Sequence, residues 1–241
     1  ISILETCKRA LGGRVPLIAG IAGLSTAECV ALAQRAARAG CDGLMVLPPY
    51  VYRGDWRESK AHFDAVIRAT PLSCMLYNNP IAYGTDVSAV QLGELAEHGN
   101  LHAVKESSGD VRRVTAIRET LGDRLSIFAG LDDMILEAVP AGASGWIAGL
   151  VNALPEESVR VFELAVAGRW EEADDTLTTA VQLWVLGRSA LRIGALVRLA
   201  NLRIRQGRFD EAEQLLQDID PAGDPELVLP LAAVRLASGE A

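Results

Sequence analysis

Over the first 167 positions, short unbroken apolar runs alternate with longer stretches of helical spacing. Residues 1–12 have an amphipathic helical pattern that stops at Gly12-Gly13. Val15 to Ile21 then reads as a buried strand. Ser25-Thr26-Ala27-Glu28 opens a helix with a capping-box signature, Ser25 at N-cap and Glu28 at N3, and Gly40 closes it. Further strands are expected at Gly43 to Leu47, Ser73 to Asn78, Leu101 to Glu106, Leu125 to Ala129 and Gly145 to Val151. Helices are expected after each: Asp55-capped to about Ala69, Ser88 to about Glu97, Val111 to Leu121, Asp132 to Ala141, and Pro155 to Ala167 with proline at or near N1. The strands are apolar throughout rather than alternating, the pattern of a parallel sheet buried on both faces. Six such βα units, connected right-handedly, make either a doubly wound sheet or a (β/α)8 barrel. The glycine spacing of a dinucleotide-binding loop is missing after the first strand, where the chain reads AGIAGLS. The polar residues collect instead at the C-terminal ends of the strands, where a barrel keeps its active site: Tyr77-Asn78-Asn79, Lys105-Glu106-Ser107-Ser108, Asp132-Asp133 and Asn152.

After Ala167 no strand candidate remains. GRWEEA (168–173) recurs as GRFDEA (207–212), and LAAVRLASGE (231–240) resembles the start of another unit. From Gly207 to Gly239 is 32 positions, close to the tetratricopeptide period of about 34. The acidic run WEEADD (170–175) reads as a solvated face. The chain opens on Ile1 rather than methionine, in mid-helix, which reads as a fragment of something longer.

Composition narrows the function. A formal net charge of −8 over 241 residues argues against nucleic acid or an anionic membrane as partner. No apolar run approaches a membrane span and no signal peptide is present, so a cytoplasmic location is expected. Cys7, Cys29, Cys41 and Cys74 have no metal or redox spacing and read as buried free thiols. His98 and His102 are separated by a helix end, and His62 falls on an outer helix, so no metal site is expected. Asp132-Asp133 reads as a helix cap, and Glu106, facing away from Lys105, as half of a structural ion pair.

Lys105 is the residue that breaks pattern. It follows Ala103 and Val104 in an apolar strand and shares a face with Ala103. On an interior face it would be desolvated, which favours a nucleophilic amine able to condense with a carbonyl. A lysine at a strand end can equally bend out into solvent. Tyr77, one βα unit earlier, falls near the same edge of the neighbouring strand, about 4.8 Å away. A phenol there could carry the protons of carbinolamine formation and breakdown, or serve an oxygen of the substrate.

LYNNP (76–80) and VKESSGD (104–110) resemble the dihydrodipicolinate synthase/N-acetylneuraminate lyase family. VPLIAGIAGLSTAE (15–28), AGCDGLMVLPPY (39–50), FAGLDD (128–133) and GASGWIAG (142–149) extend the likeness in register over residues 1–184. The resemblance implies a partial TIM (β/α)8 barrel with six of eight βα units, followed by an all-α, helical-repeat-like tail. It divides the chain into a lyase domain, 1–184, and a tetratricopeptide-like tail, 185–241. It implies a Schiff-base lyase of aldolase or dehydratase type acting on pyruvate or another 2-oxo acid, with no metal or organic cofactor. Lys105 would be the Schiff-base lysine and Tyr77 the proton-transfer tyrosine. Tyr50, Gly130 and Ile147 would line the substrate pocket, and an intact version would be a homo-oligomer. Val15 would begin the third strand of such a barrel, so activity is expected to be impaired. Ala82 stands where the synthases carry arginine, which points to another reaction of the family. The alternative is a non-catalytic barrel whose tail serves protein–protein contacts.

Overall fold

The computed structural model describes residues 2–51, 53–187, 192–217, 230 and 232–234, and resolves them into two compact units. The first comprises residues 1–130 with 141–147, and the second 131–140 with 148–241.

The first unit is a six-stranded, all-parallel sheet in strand order 1-2-3-4-5-6. Its strands are β1 (Ile18–Ile21), β2 (Gly43–Val46), β3 (Ser73–Asn78), β4 (Leu101–Glu106), β5 (Ser126–Ala129) and β6 (Gly145–Trp146). The helices between them are α1 (Ser2–Leu11), α2 (Thr26–Arg38), α3 (Trp56–Arg68), the short α4 (Pro80–Tyr83), α5 (Ala89–Leu95) and α6 (Arg112–Leu121). This is a half-barrel, six of the eight βα units of a TIM barrel. Sequence pattern located β3 and β4 to the residue. It overextended β1 and β6, because apolar residues beyond the paired segment cannot be told from paired ones by hydrophobicity. It also missed α4, a single turn with Asn79 as its cap and Gly84 closing it at φ +72°.

Burial within the sheet alternates, which corrects the expectation of two equally buried faces. Ala19, Ile21, Leu44, Val46, Leu76, Val104 and Ile127 are almost wholly buried. They share the outer layer with Ala33 and Ala36 of α2, Phe63, Val66 and Ile67 of α3, Leu92 and Leu95 of α5, and Val114 and Ile117 of α6. Burying each of the larger side chains contributes about 1.5–3 kcal/mol. The opposite face carries Met45, Met75, Tyr77, Lys105 and Phe128, all half-buried, with Ile18 45% exposed. Among the described residues no strand lies opposite this inner face to cover it.

Capping chemistry set the helix starts. Asp55 and Ser88 form complete capping boxes with Glu58 and Gln91. Ser25 caps α2, accepting from the Glu28 amide, but the box is not closed: the Glu28 carboxylate accepts from the Leu24 amide at 2.8 Å instead.

The second unit contains α7 (Ile135–Ala138), α8 (Pro155–Val166), α9 (Trp170–Gly187), α10 (Arg192–Arg205) and α11 (Phe209–Leu216). The recurring Gly-Arg-aromatic motif has one geometry at both sites. Gly168 and Gly207 adopt left-handed φ values of +72° and +74°, and the following arginine pairs with a glutamate three residues on, Arg169 with Glu172 and Arg208 with Glu211. Val197, Ala200, Ala212, Leu216 and Val234 form the apolar core of the last helices. Most of the expected further unit at 231–240 lies outside the described residues.

One charge assignment is corrected. WEEADD is not a uniformly solvated face: Asp174 is 6% exposed and receives Arg203 at 2.5 Å, Arg208 at 2.6 Å and Gln206 at 3.0 Å. Its neighbours Glu171, Glu172 and Asp175 are exposed. Helical periodicity turns one carboxylate of the run inward. Asp132 likewise does not cap the helix that follows it. Its carboxylate accepts from the Gly149 and Leu150 amides at 2.8 and 2.9 Å, tying down the start of a 3-10 turn at Leu150–Asn152.

Candidate active site

Tyr77 and Lys105 are partners in the β3–β4 ladder, each at the fifth position of its strand. That pairing depends on a register shift: Cys74 sits opposite Leu101, but Met75 sits opposite Ala103, leaving His102 as an extra residue in β4. Without it Lys105 would stand level with Asn78. Both side chains project on the half-buried inner face, and Lys105 Nζ lies 4.4 Å from the centre of the Tyr77 ring. This is cation–π distance, worth about 0.5–1 kcal/mol at a partly exposed site, and it parks the nitrogen against the phenol instead of in bulk water.

The phenol is itself oriented. Asn79 Nδ2 donates to the Tyr77 hydroxyl at 3.0 Å, while Asn79 Oδ1 accepts from the Ala82 amide at the same distance. The backbone donor fixes which end of the amide is oxygen, so the NH2 must face the phenol. Tyr77 oxygen therefore accepts a bond from Asn79, and among the described residues its own proton has no hydrogen-bond acceptor. Tyr83, from α4, stands edge-on to Tyr77 with ring centres 5.7 Å apart, and Tyr50 contacts Tyr83 at 6.1 Å. Burial, then the neighbouring Tyr77 and Tyr50 phenols, push the Tyr83 hydroxyl above the usual phenol range.

Gly130 directly follows β5, beside the lysine. A Cβ there would overlap Ser107 Oγ and come within 2.9 Å of Lys105 Cε, so only glycine leaves room for both. Ser107 is 1% exposed, and its hydroxyl has no hydrogen-bond partner among the described residues. Behind the sheet, Glu106 is buried and accepts from Asn78 Nδ2 at 2.9 Å and the Ser108 amide at 2.7 Å. The expected ion pair is thus realised as hydrogen bonds. Asn78 Oδ1 in turn accepts from the Val87 amide, and Asp86 pairs with Arg113. This polar cluster fixes the ends of β3 and β4 from the outer side, and with them the two inward side chains.

The structure brings Lys105, Tyr77 and Gly130 together. Among the described residues Tyr50 joins them through Tyr83, and it is itself 41% exposed. Ile147, half-buried, follows β6 and donates its amide to Ala129 O at 2.9 Å, on the same strand-end rim. Sequence reasoning assigned no role to Asn79, Tyr83 or Ser107. The i+2 spacings Tyr77–Asn79 and Lys105–Ser107 were the signals available for two of them. The histidines are engaged elsewhere: His62, on α3 and buried, with Thr26 Oγ1 and Leu47 O; His98 with Asp64; His102 with Ser73. Among the described residues no cluster of three or more His, Cys, Asp or Glu is placed to hold a metal ion, and no helix is long and apolar enough to cross a membrane.

A 4-hydroxy-tetrahydrodipicolinate synthase of Exiguobacterium sibiricum is 38% identical over 172 residues, covering 71% of this chain and 59% of the relative. One from Clostridium perfringens is 35% identical over 150 residues, covering 62% and 52%. The chain thus spans somewhat over half the length of these relatives. Among solved structures, CdNal of Clostridium difficile in complex with mannosamine superposes with a TM-score of 0.72 at 24% identity, over 98% of this chain and 79% of that one. A putative dihydrodipicolinate synthetase from Pseudomonas aeruginosa gives 0.70 at 27% identity, over 99% and 79%. Residues 195–228 match a tetratricopeptide repeat model. Residues 1–188 match the model of the dihydrodipicolinate synthetase family, and the chain belongs to that family.

Proposed function

We propose that this chain carries the site of a Schiff-base lyase acting on pyruvate or another 2-oxo acid. The observation that carries the reading is the lysine nitrogen held 4.4 Å over the ring of the tyrosine level with it on the next strand. Lys105 attacks the C2 carbonyl carbon, and the oxygen takes up a proton to give a carbinolamine. Loss of water then leaves a protonated imine, which draws electrons from C3 and permits deprotonation there or cleavage of the C3–C4 bond. Tyr77, its oxygen engaged by Asn79, moves the proton on and off the departing oxygen. Gly130 leaves the space the lysine needs, and Tyr50 and Ile147 border the substrate. No metal or organic cofactor enters this scheme. Ala82 offers no cation after the tyrosine motif, which favours a dehydratase or aldolase of the family over the synthase reaction. Turnover is expected to be low, because the inner face is half open and small displacements of reacting groups are costly.

Incubation with pyruvate and borohydride tests this. A reduced pyruvyl adduct should appear on Lys105 and disappear in Lys105→Arg. An unmodified Lys105 at saturating pyruvate would end the proposal.

A second reading has its own support in the tetratricopeptide match at 195–228. On that reading the lyase domain, residues 1–184, is a non-catalytic carrier, and the tail, 185–241, serves protein contacts. Adduct formation without any turnover of 2-oxo acids would favour it; turnover by this chain would exclude it. Self-association into a homo-oligomer, in the cytoplasm, belongs to the first reading and is measurable by sedimentation.

A further inference from the structure

Arg53 lies in the loop after β2, on the same strand-end rim as Lys105. The loops after β2 and β3 are stitched together at three points. Thr85 Oγ1 donates to Pro49 O at 3.3 Å, Tyr50 packs on Tyr83, and the Arg53 guanidinium rests directly on the backbone of Gly84. A Cβ at Gly84 would meet Arg53 Cζ at 2.7 Å and Nη2 at 2.9 Å, so the turn leaves a bare backbone surface under the guanidinium plane. Other arginines of this rim have carboxylates: Arg57 has Asp55, Arg112 has Asp110 and Arg113 has Asp86. Arg53 pairs with no carboxylate among the described residues, in a chain with 31 acidic and 23 basic residues. Contacts run without a break from Lys105 Nζ over Tyr77 to Tyr83, and Gly84 follows Tyr83 in sequence. A planar guanidinium with its donors unspent, next to an aromatic wall that leads to the amine, suits a bidentate oxyanion acceptor.

We infer that Arg53 is a specificity-determining residue that binds a second, distal carboxylate of the 2-oxo acid held at Lys105. The inference rests on the proposed Schiff-base reading and names the substrate class of that site: 2-oxo acids with an acid group at the far end of the chain. Arg53 takes no part in the bond-making steps.

Borohydride trapping on the full chain separates the two claims. The probes are 2-oxoadipate and 2-oxohexanoate, of equal carbon count, one ending in carboxylate and the other in methyl. In the unsubstituted protein 2-oxoadipate should half-saturate Lys105 at a five- to twentyfold lower concentration. Arg53→Gln should bring the ratio close to one by weakening 2-oxoadipate alone, and Arg53→Lys should keep part of the preference. The limiting trapping rate should be the same in all three proteins, which a general loss of structure would not allow. Equal half-saturation by the two acids in the unsubstituted protein, or a preference that survives Arg53→Gln, overturns the assignment and leaves the lysine chemistry standing. Absence of any adduct with either acid overturns both.

Discussion

Gly130→Ala is the sharpest test of how the candidate site is packed. Gly130 does not occupy a left-handed conformation, so alanine meets no backbone penalty. The effect is crowding alone. The new methyl would overlap Ser107 Oγ and stand 2.9 Å from Lys105 Cε and 3.0 Å from Ser107 Cβ. Ser107 is 1% exposed and has little room to retreat. Overpacking of this kind costs roughly 1–3 kcal/mol of stability. The lysine is the more flexible neighbour, so part of the strain is relieved by displacing its terminal carbons. A displacement near 1 Å at a reacting group costs on the order of a hundredfold in rate. The assay is the rate of reductive trapping of pyruvate on Lys105, run beside urea denaturation. Ser107→Ala in the Gly130→Ala background removes the hydroxyl overlap but keeps the 3.0 Å contact. It should restore part of both losses, with a coupling energy of about 1 kcal/mol in the double-mutant cycle. Wild-type stability and trapping rate in Gly130→Ala would refute this account of why glycine follows β5.

Tyr77→Phe keeps the ring under Lys105 and removes the proton carrier, so pyruvate trapping should slow by about 10²–10⁴-fold while urea stability changes little; an unchanged rate would show that another group moves the proton. Asp174→Asn should destabilise the helical unit by at most about 3–5 kcal/mol in thermal or urea melts, since it removes the buried carboxylate partner of the 2%-exposed Arg203 side chain and leaves it the more exposed Glu211 at 3.3 Å. Arg208, 41% exposed, contributes little to that figure. Burial pushes the Asp174 carboxyl up, but hydrogen bonds from Gln206, Arg203 and Arg208 outweigh it and hold it below the usual range. A depressed folded-state value means this stability is present above the unfolded carboxylate range, near pH 4, and is lost as pH falls through the folded value; a helical unit equally stable at pH 5 and pH 2.5 would contradict it. Burial pushes the Cys74 thiol up to about 11, and burial followed by the adjacent Glu28 and Asp42 charges raises Cys29 and Cys41. Native alkylation at pH 8 should therefore mark Cys7, the half-buried thiol, ahead of the other three, as read by peptide mass; prompt labelling of Cys74 would count against its burial.

The sequence by itself determined the parallel βα order and the change from strand-bearing to helical chain after Ala167, and it singled out both halves of the candidate pair. These are local or periodic properties. Unbroken apolar runs mark parallel strands, Asp55 and Ser88 mark helix starts by the hydrogen bonds only they can make, and a lysine in an apolar strand is visible as an exception. Tertiary structure decided the rest. His102 is an ordinary strand residue until β4 is laid against β3, and only then does its extra place in the ladder bring Lys105 level with Tyr77. Asp174 looks like its acidic neighbours until α10 brings Arg203 against it. Ser107, Tyr83 and Arg53 acquire meaning from Gly130, Tyr77 and Gly84, residues that only folding makes adjacent. Periodicity records which face of an element is buried. Which groups meet there is fixed by register and by contacts between distant segments, and a one-dimensional pattern does not contain them.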